Sequence, residues 1–318
     1  METPRQRFIA ALNHQPLTGR VPHMELCFFL TMEAFSKLHP RHRFYEQWDQ
    51  MEEKERQMHR NDIADVYIAT AERFEYSAIF LHPNPVSTDE ILRLVDLVRE
   101  KTGNRYFLMV DGEATFGIPM GNEMTEFSYR LADDPEGLKR DARERVKRKL
   151  EEGAYFQKHG GIDGIMLCAD YCLNTGPFFS PSQFGEFVAP YLAELIQGYR
   201  DMGFYTLKHT DGNIMPILDQ LAQCRPHALH SLDPQAGVDI AEIKRRYGQQ
   251  FCLIGNVNCG LMDTGTDEEI RTSARYALRH GMPGGGYVFS TSNCIYTGMK
   301  LSRYEIMLDV WRQEGNYL

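Results

Sequence analysis

The stretch Phe204-Tyr205-Thr206-Leu207-Lys208-His209-Thr210-Asp211-Gly212-Asn213 opens on an apolar run and closes on a polar constellation. Residues 204–207 have the apolar and β-forming character of a buried strand. His209 and Asp211 stand two residues apart, so in an extended chain they point to the same side. The same unit, a buried strand ending in chemistry-bearing groups, recurs along the chain. Apolar runs at 21–27, 106–110, 164–168, 228–232, 251–254 and 287–289 read as strands, with one or two more within 64–81. Glu25, Asp111, Asp170, Asp233, Asn256 and Asn293 fall at or near the ends of these runs, as Asp211 does at its own.

The intervening segments carry helix signals. Ser180-Pro181 combines an N-cap with a proline at the first helical position, and the apolar face follows at Phe184, Phe187, Val188, Tyr191, Leu192, Leu195 and Ile196. Thr266 with Glu269 has capping-box spacing and predicts a helix from Asp267 to His280, stopped by Gly281. Asp239 with Glu242 and Ser302 with Glu305 repeat that signal. A helix over 135–158 buries Leu138, Ala142, Val146 and Leu150 under a charged outer face. Strands alternating with helices predict parallel strands joined by helical crossovers, and the length of 318 residues suits one (β/α)8 TIM barrel of the α/β class. The expected organisation is a single domain over 1–318, with an N-terminal helical extension at about 1–20.

Composition narrows the function classes. The chain is 42% hydrophobic and 25% charged, which excludes a largely disordered protein. Its net charge of -9, with basic residues dispersed among acidic ones, argues against nucleic acid as a partner. No run of apolar residues is long enough to span a bilayer, and residues 1–12 lack a signal-peptide core. Seven cysteines in a chain with an ample core predict reduced thiols and a cytoplasmic location.

In a barrel the polar residues after the strands converge at one face, where the βα loops carry active sites. His209 and Asp211 suit either a zinc ion or an acid/base pair acting on a polar substrate. The bland alternative has Asp211 capping a helix near Ile214. Asp170 ends an apolar strand and can orient a cationic or hydroxylated group. Gly284-Gly285-Gly286 permits a tight turn before the last strand, but neither a dinucleotide fingerprint nor a phosphate-binding loop occurs. Ser290-Thr291-Ser292-Asn293-Cys294 offers hydroxyls, an amide and a thiol, and Cys294 is the one cysteine read as a ligand.

Thr3-Pro4-Arg5-Gln6-Arg7-Phe8-Ile9-Ala10-Ala11-Leu12, Asn174-Thr175-Gly176-Pro177-Phe178-Phe179-Ser180-Pro181, Lys208-His209-Thr210-Asp211-Gly212-Asn213, Leu253-Ile254-Gly255-Asn256-Val257 and Gly284-Gly285-Gly286-Tyr287-Val288-Phe289 follow one another in the order seen in a known superfamily. Together they resemble the uroporphyrinogen decarboxylase superfamily, a (β/α)8 fold that contains tetrapyrrole decarboxylases and corrinoid-dependent methyltransferases. The decarboxylases carry an arginine-rich stretch near the amino end that holds substrate carboxylates. Here Val21-Pro22-His23-Met24-Glu25-Leu26-Cys27-Phe28-Phe29 stands in its place, which points to the methyltransferase branch. Zinc methyltransferases of the superfamily use H-x-C-G-N and a later cysteine. His209 matches, Asp211 replaces the first cysteine, and the second falls on Asn293 with Cys294 one position off, so zinc at His209, Asp211 and Cys294 requires a local bulge.

The resemblance implies a methyltransferase, or demethylase, moving a methyl group between a small methylated or methoxylated donor and a corrinoid cobalt. The chain has no D-x-H-x-x-G motif, so the corrinoid (cobalamin) comes on a separate carrier protein. His209 and Asp211 then polarise or protonate the leaving oxygen, and Asp170 and Asn293 position the donor. Glu25, Asp111, Tyr171 and Asn256 are expected to contact substrate, with Phe28, Phe29, Tyr171 and Phe178 lining the pocket. A decarboxylase of a carboxylated substrate is the alternative, with Arg20, Arg73 and Lys208 as the cations it needs. A non-catalytic tetrapyrrole-binding protein is the third reading.

Overall fold

A computed structural model describes residues 2–317; Met1 and Leu318, the ends of the expected domain, lie outside the described residues. Seven parallel strands form one sheet: β1 (Ala78–Phe80), β2 (Phe107–Asp111), β3 (Gly164–Leu167), β4 (Tyr205–Thr210), β5 (Ala228–Ser231), β6 (Cys252–Val257) and β7 (Tyr287–Thr291). They pair in chain order, so each crossover returns beside its predecessor. Of the expected segment 64–81, the first part belongs to the helix Glu53–Arg73 and only Ala78–Phe80 is a strand.

The eighth side of the barrel is the segment predicted as the first strand. His23 bridges Phe289 of β7 in parallel register. The Met24 amide donates to the Phe289 carbonyl at 3.2 Å and the Phe289 amide to the Pro22 carbonyl at 2.9 Å. On the other side the Ser77 amide donates to the His23 carbonyl at 2.7 Å. Pro22 has no N–H to give, which is why this side closes through single bridges rather than a regular ladder. The sheet is thereby closed into a (β/α)8 TIM barrel.

Side-chain alternation divides the strands into two sets. Phe107, Met109, Met166, Leu207, Ala228, Cys252, Ile254 and Val288 fill the barrel interior, whereas Leu108, Val110, Ile165, Leu167, Leu229, Leu253 and Phe289 pack under the helices. The period of two explains both clusters. At the amino-terminal end the interior is plugged by the helix Pro4–Leu12, started by a Thr3 capping box and a proline, which sends Phe8, Ala11 and Leu12 into the same cluster. The Phe8 ring centroid is 4.8 Å from that of Phe107.

The helix after Ser180 is two helices. Pro181–Phe187 and Ala189–Asp201 meet at Val188, because Pro190 cannot continue the first hydrogen-bond ladder and disfavours a helical residue before it. The capping boxes at Ser180 and Thr266 are present. Ser302, by contrast, lies inside the helix Leu301–Glu314, whose N-cap is Lys300 without a side-chain bond. The three glycines before β7 have φ of 79°, 73° and 59°, a left-handed run that side chains would strain. Among the described residues no helix is long and apolar enough to cross a membrane.

Phe8 is completely buried at the plug, so Phe8→Ala should cost about 3–5 kcal/mol of stability. Urea denaturation measures this; a loss below about 1 kcal/mol would show that the helix does not close the barrel floor.

Candidate active site at the carboxyl ends of the strands

The inner column of each strand changes character towards its carboxyl end. Above Leu207 comes His209, above Ala228 His230, above Ile254 Asn256, and above Val288 Ser290, and all four are buried. These polar groups form a layer on the apolar filling of the barrel. His209 and His230 are register partners on β4 and β5, and their Nδ1 atoms are 2.7 Å apart.

Hydrogen-bond direction can be followed through this layer. Glu25 is buried, and its carboxylate accepts from the Thr291 amide at 3.1 Å, from the Thr291 hydroxyl and from the Ser290 hydroxyl at 3.2 Å. With its proton committed to Glu25, the Ser290 oxygen accepts from His230 Nε2, 3.4 Å away. His230 Nδ1 is then an acceptor, and His209 Nδ1 must carry the shared proton. His209 Nε2 is left with a free lone pair. It faces Asp170 at 3.8 Å and Asp211 at 3.7 Å. Burial lowers the His209 imidazole to about 4 against the pull of Asp170, so the ring is neutral at pH 7. Burial and the neighbouring His209 push His230 well below its usual value too.

Asp211 does not cap a helix. Its carboxylate accepts from the Ser231 hydroxyl at 2.6 Å and from the Asn293 amide. The Asp211 backbone amide donates to Asp170 at 2.9 Å. Burial, aided by the negative charge of Asp170, raises the Asp211 carboxyl to about 7. Asn293 is held in turn by the Tyr296 hydroxyl at 2.8 Å. The four residues expected to be catalytic, Asp170, His209, Asp211 and Asn293, therefore meet at one place.

The other expected residues divide. Asp111 reaches an 800 Å³ cavity at the barrel mouth, shared with Arg41, Arg43, Lys149 and Glu152. Burial first, then Glu113, raises its carboxyl to about 6 against the pull of Lys149. Glu25 is enclosed behind the polar layer and acts on the site only through Ser290. Tyr171 is also enclosed: its hydroxyl is 2.6 Å from Thr115 and its ring lies under the Lys208 ammonium, 4.2 Å away. Asn256 turns its amide to the Leu232 carbonyl at 2.9 Å. Phe28 and Phe178 pack in the outer core, while Phe29, stacked on His42 at 4.6 Å, stays partly exposed.

Lys208 stands one position off the inner column and enters the helix layer. It donates to Glu113 at 2.8 Å and to the Ala169 carbonyl at 2.9 Å. Arg20 pairs with Glu75 on the opposite side of the barrel, and Arg73 pairs with Glu305 on the outer surface. None of the three cations expected of a decarboxylase is at the mouth. Arg41 and Arg43 are there instead, supplied by the loop after the first barrel segment. His230 and Glu113 also escaped the sequence reading, although aligning His230 with His209 across the two strands was enough to pair them.

Asp170, His209 and Asp211 present ligand atoms all within 4.8 Å of one another. Cys294 is not part of this group; the bridge between Phe28 and Ile295 sets it opposite Cys27 instead. Two carboxylates and a neutral imidazole with its lone pair inward are a donor set that fits a divalent ion such as zinc.

The sequence profile of the uroporphyrinogen decarboxylase (URO-D) family matches residues 138–314, more than half of the chain. The chain belongs to the uroporphyrinogen decarboxylase family. Its fold is similar to that of a methyltransferase from Methanosarcina mazei, with 18% identity over 99% of each chain and a TM-score of 0.74. A GH5_18 protein from Bifidobacterium longum subsp. infantis shares the barrel more loosely, at 12% identity over 95% of this chain and 80% of that one, with a TM-score of 0.52. No curated protein matches at the sequence level. Within the family, the matched region carries the strands that hold His209, His230, Asn256 and Ser290.

Lys208 is 1% exposed and bound to Glu113, whose side chain is 13% exposed. Replacing it with Met leaves that carboxylate uncompensated, so Lys208→Met should lose about 3–5 kcal/mol, with recovery in Lys208→Met/Glu113→Gln. If thermal unfolding shows a neutral single variant, the lysine is not a structural counter-ion.

Proposed function

We propose that this protein is a corrinoid-dependent methyltransferase, moving a methyl group between a small methylated or methoxylated donor and the cobalt of a corrinoid held by a separate carrier protein. The observation that carries the reading is the open Nε2 of His209, fixed between Asp170 and Asp211 at the barrel mouth. Similarity over 99% of both chains to a methyltransferase supports it. So does the commitment of Lys208 to Glu113, which keeps the lysine next to His209 in the chain from meeting a substrate carboxylate.

The site residues have distinct tasks. Asp211, raised to about 7, holds a proton near neutral pH and can deliver it to the leaving atom as the methyl–heteroatom bond breaks and its electron pair stays behind. Asn293 keeps the Asp211 carboxyl aimed, and Asp170 aligns the donor beside His209. A zinc ion on Asp170, His209 and Asp211 would instead lower the pKa of a bound donor or acceptor group. The apolar residues exposed on the loops at this end, with Phe44, Val86 and Met120 at 87%, 82% and 80%, supply a surface for a carrier protein.

Metal analysis of protein purified without chelator, with ultraviolet-visible titration of reduced corrinoid against methylated donors, tests the reading. Donor-dependent methylation of the corrinoid should fall at least about 100-fold in His209→Ala. Stoichiometric zinc lost in the same variant assigns the metal route. If no zinc is bound, Asp211 acts as the acid. Its protonated form is present below about pH 7, so the rate should fall as pH rises through that value, and Asp211→Asn should abolish this limb. A corrinoid spectrum unchanged by every methylated donor would sink the proposal.

A further inference from the structure

Two buried cysteines meet beside the site, on segments nearly the whole chain apart. Phe28 bridges Ile295 in parallel register, which sets Cys27 opposite Cys294 on adjoining extended segments. The backbone fixes this pairing: the Ile295 amide donates to the Cys27 carbonyl at 2.9 Å and the Phe29 amide to the Ile295 carbonyl at 2.8 Å. Adjacent strands lie about 4.8 Å apart, within the roughly 4.4–6.8 Å between Cα atoms that a disulfide spans. Both side chains belong to the interior cluster, so they turn to the same face. Each thiol influences the ionisation of the other, and Arg41 Nη1 stands 3.5 Å from the Cys27 sulfur.

We propose that Cys27 and Cys294 form a peroxide-sensitive dithiol that closes reversibly to a disulfide. The neighbouring Cys294 thiol and the Arg41 guanidinium lower the Cys27 thiol against its burial, which makes Cys27 the nucleophile. Its sulfur attacks hydrogen peroxide, the O–O bond breaks, and Cys27 becomes a sulfenic acid with release of water. The Cys294 sulfur then displaces the hydroxyl, which leaves as a second water with the thiol proton, and the S–S bond forms. Two thiols lose two electrons and two protons, and one peroxide is reduced to two waters. A dithiol reductant reverses the change.

The chain's other thiols lack this arrangement. Burial raises Cys172, Cys224 and Cys252 to about 12 and Cys259 to about 11, and pushes Cys168 well up. Closure of the pair also bears on the site. The Cys294 amide donates to Asn293 Oδ1 at 2.7 Å, and Asn293 is the side chain that holds Asp211.

Peptide mapping of the folded protein after brief treatment with hydrogen peroxide tests this. The expected result is a Cys27–Cys294 linked peptide with loss of two hydrogens, reversed by dithiothreitol. Cys294→Ser should lose the link and leave a Cys27 sulfenic acid that dimedone labels. Full retention of free thiols at both positions, or linkage only between other cysteines, would overturn the assignment. So would a link that forms only after unfolding in urea. None of these readouts depends on methyl transfer or on metal.

Discussion

One shared proton between two buried rings sets the chemistry of this barrel. The Nδ1 atoms of His209 and His230 are 2.7 Å apart, a separation that two lone pairs or two protons would not tolerate. Which ring donates is decided not at the pair but at the far end, where Glu25 accepts the Ser290 hydroxyl's hydrogen bond. From there each bond dictates the next, until His209 is left with its lone pair directed at Asp170 and Asp211. A side chain on the first barrel segment thus fixes the tautomer of a residue on the fourth strand, with no contact between them.

That dependence explains why the barrel closes as it does. Residues 21–25 make few ladder bonds, yet they bring Glu25 behind the polar layer, where a regular strand with a hydrophobic residue would leave Ser290 and His230 without direction. His23 packs beside Glu25: its Nδ1 lies 3.1 Å from the Phe74 carbonyl, which can only accept, so Nδ1 donates and Nε2 accepts from the Tyr304 hydroxyl at 3.3 Å. The cost of burying these groups is offset because nearly every polar atom among them has a partner.

Much of this was legible in the sequence because it follows from periodicity. The strands, the capping boxes at Ser180 and Thr266, and the pairing of His209 with Asp211 on one side of a strand all rest on spacings of two or three residues. Where long-range contact decides, the sequence was silent or misleading. Glu25 and Tyr171 have the chemistry of substrate contacts, but enclosure by neighbouring segments turns them into supports. Lys208 is adjacent to His209 in the chain and on the opposite face of the strand, where Glu113 consumes its charge. Ser302 has a cap's spacing, but the preceding backbone starts the helix at Leu301. Arg41 carries no local signal at all, because its loop gains meaning only from the cavity it borders.

The two carboxyl groups around His209 also show how one geometry can serve metal or proton. Burial makes the charged forms of both His209 and Asp211 unfavourable, so near neutral pH the site tends to hold a neutral ring and a proton on the acid. A divalent cation reverses this balance by supplying the missing positive charge, and it must displace the Asp211 proton to bind. Proton and metal would therefore compete for one oxygen, and metal binding would weaken as pH falls below the raised value of about 7. Asp211 is thus the group beside His209 whose charge state burial brings close to balance at neutral pH.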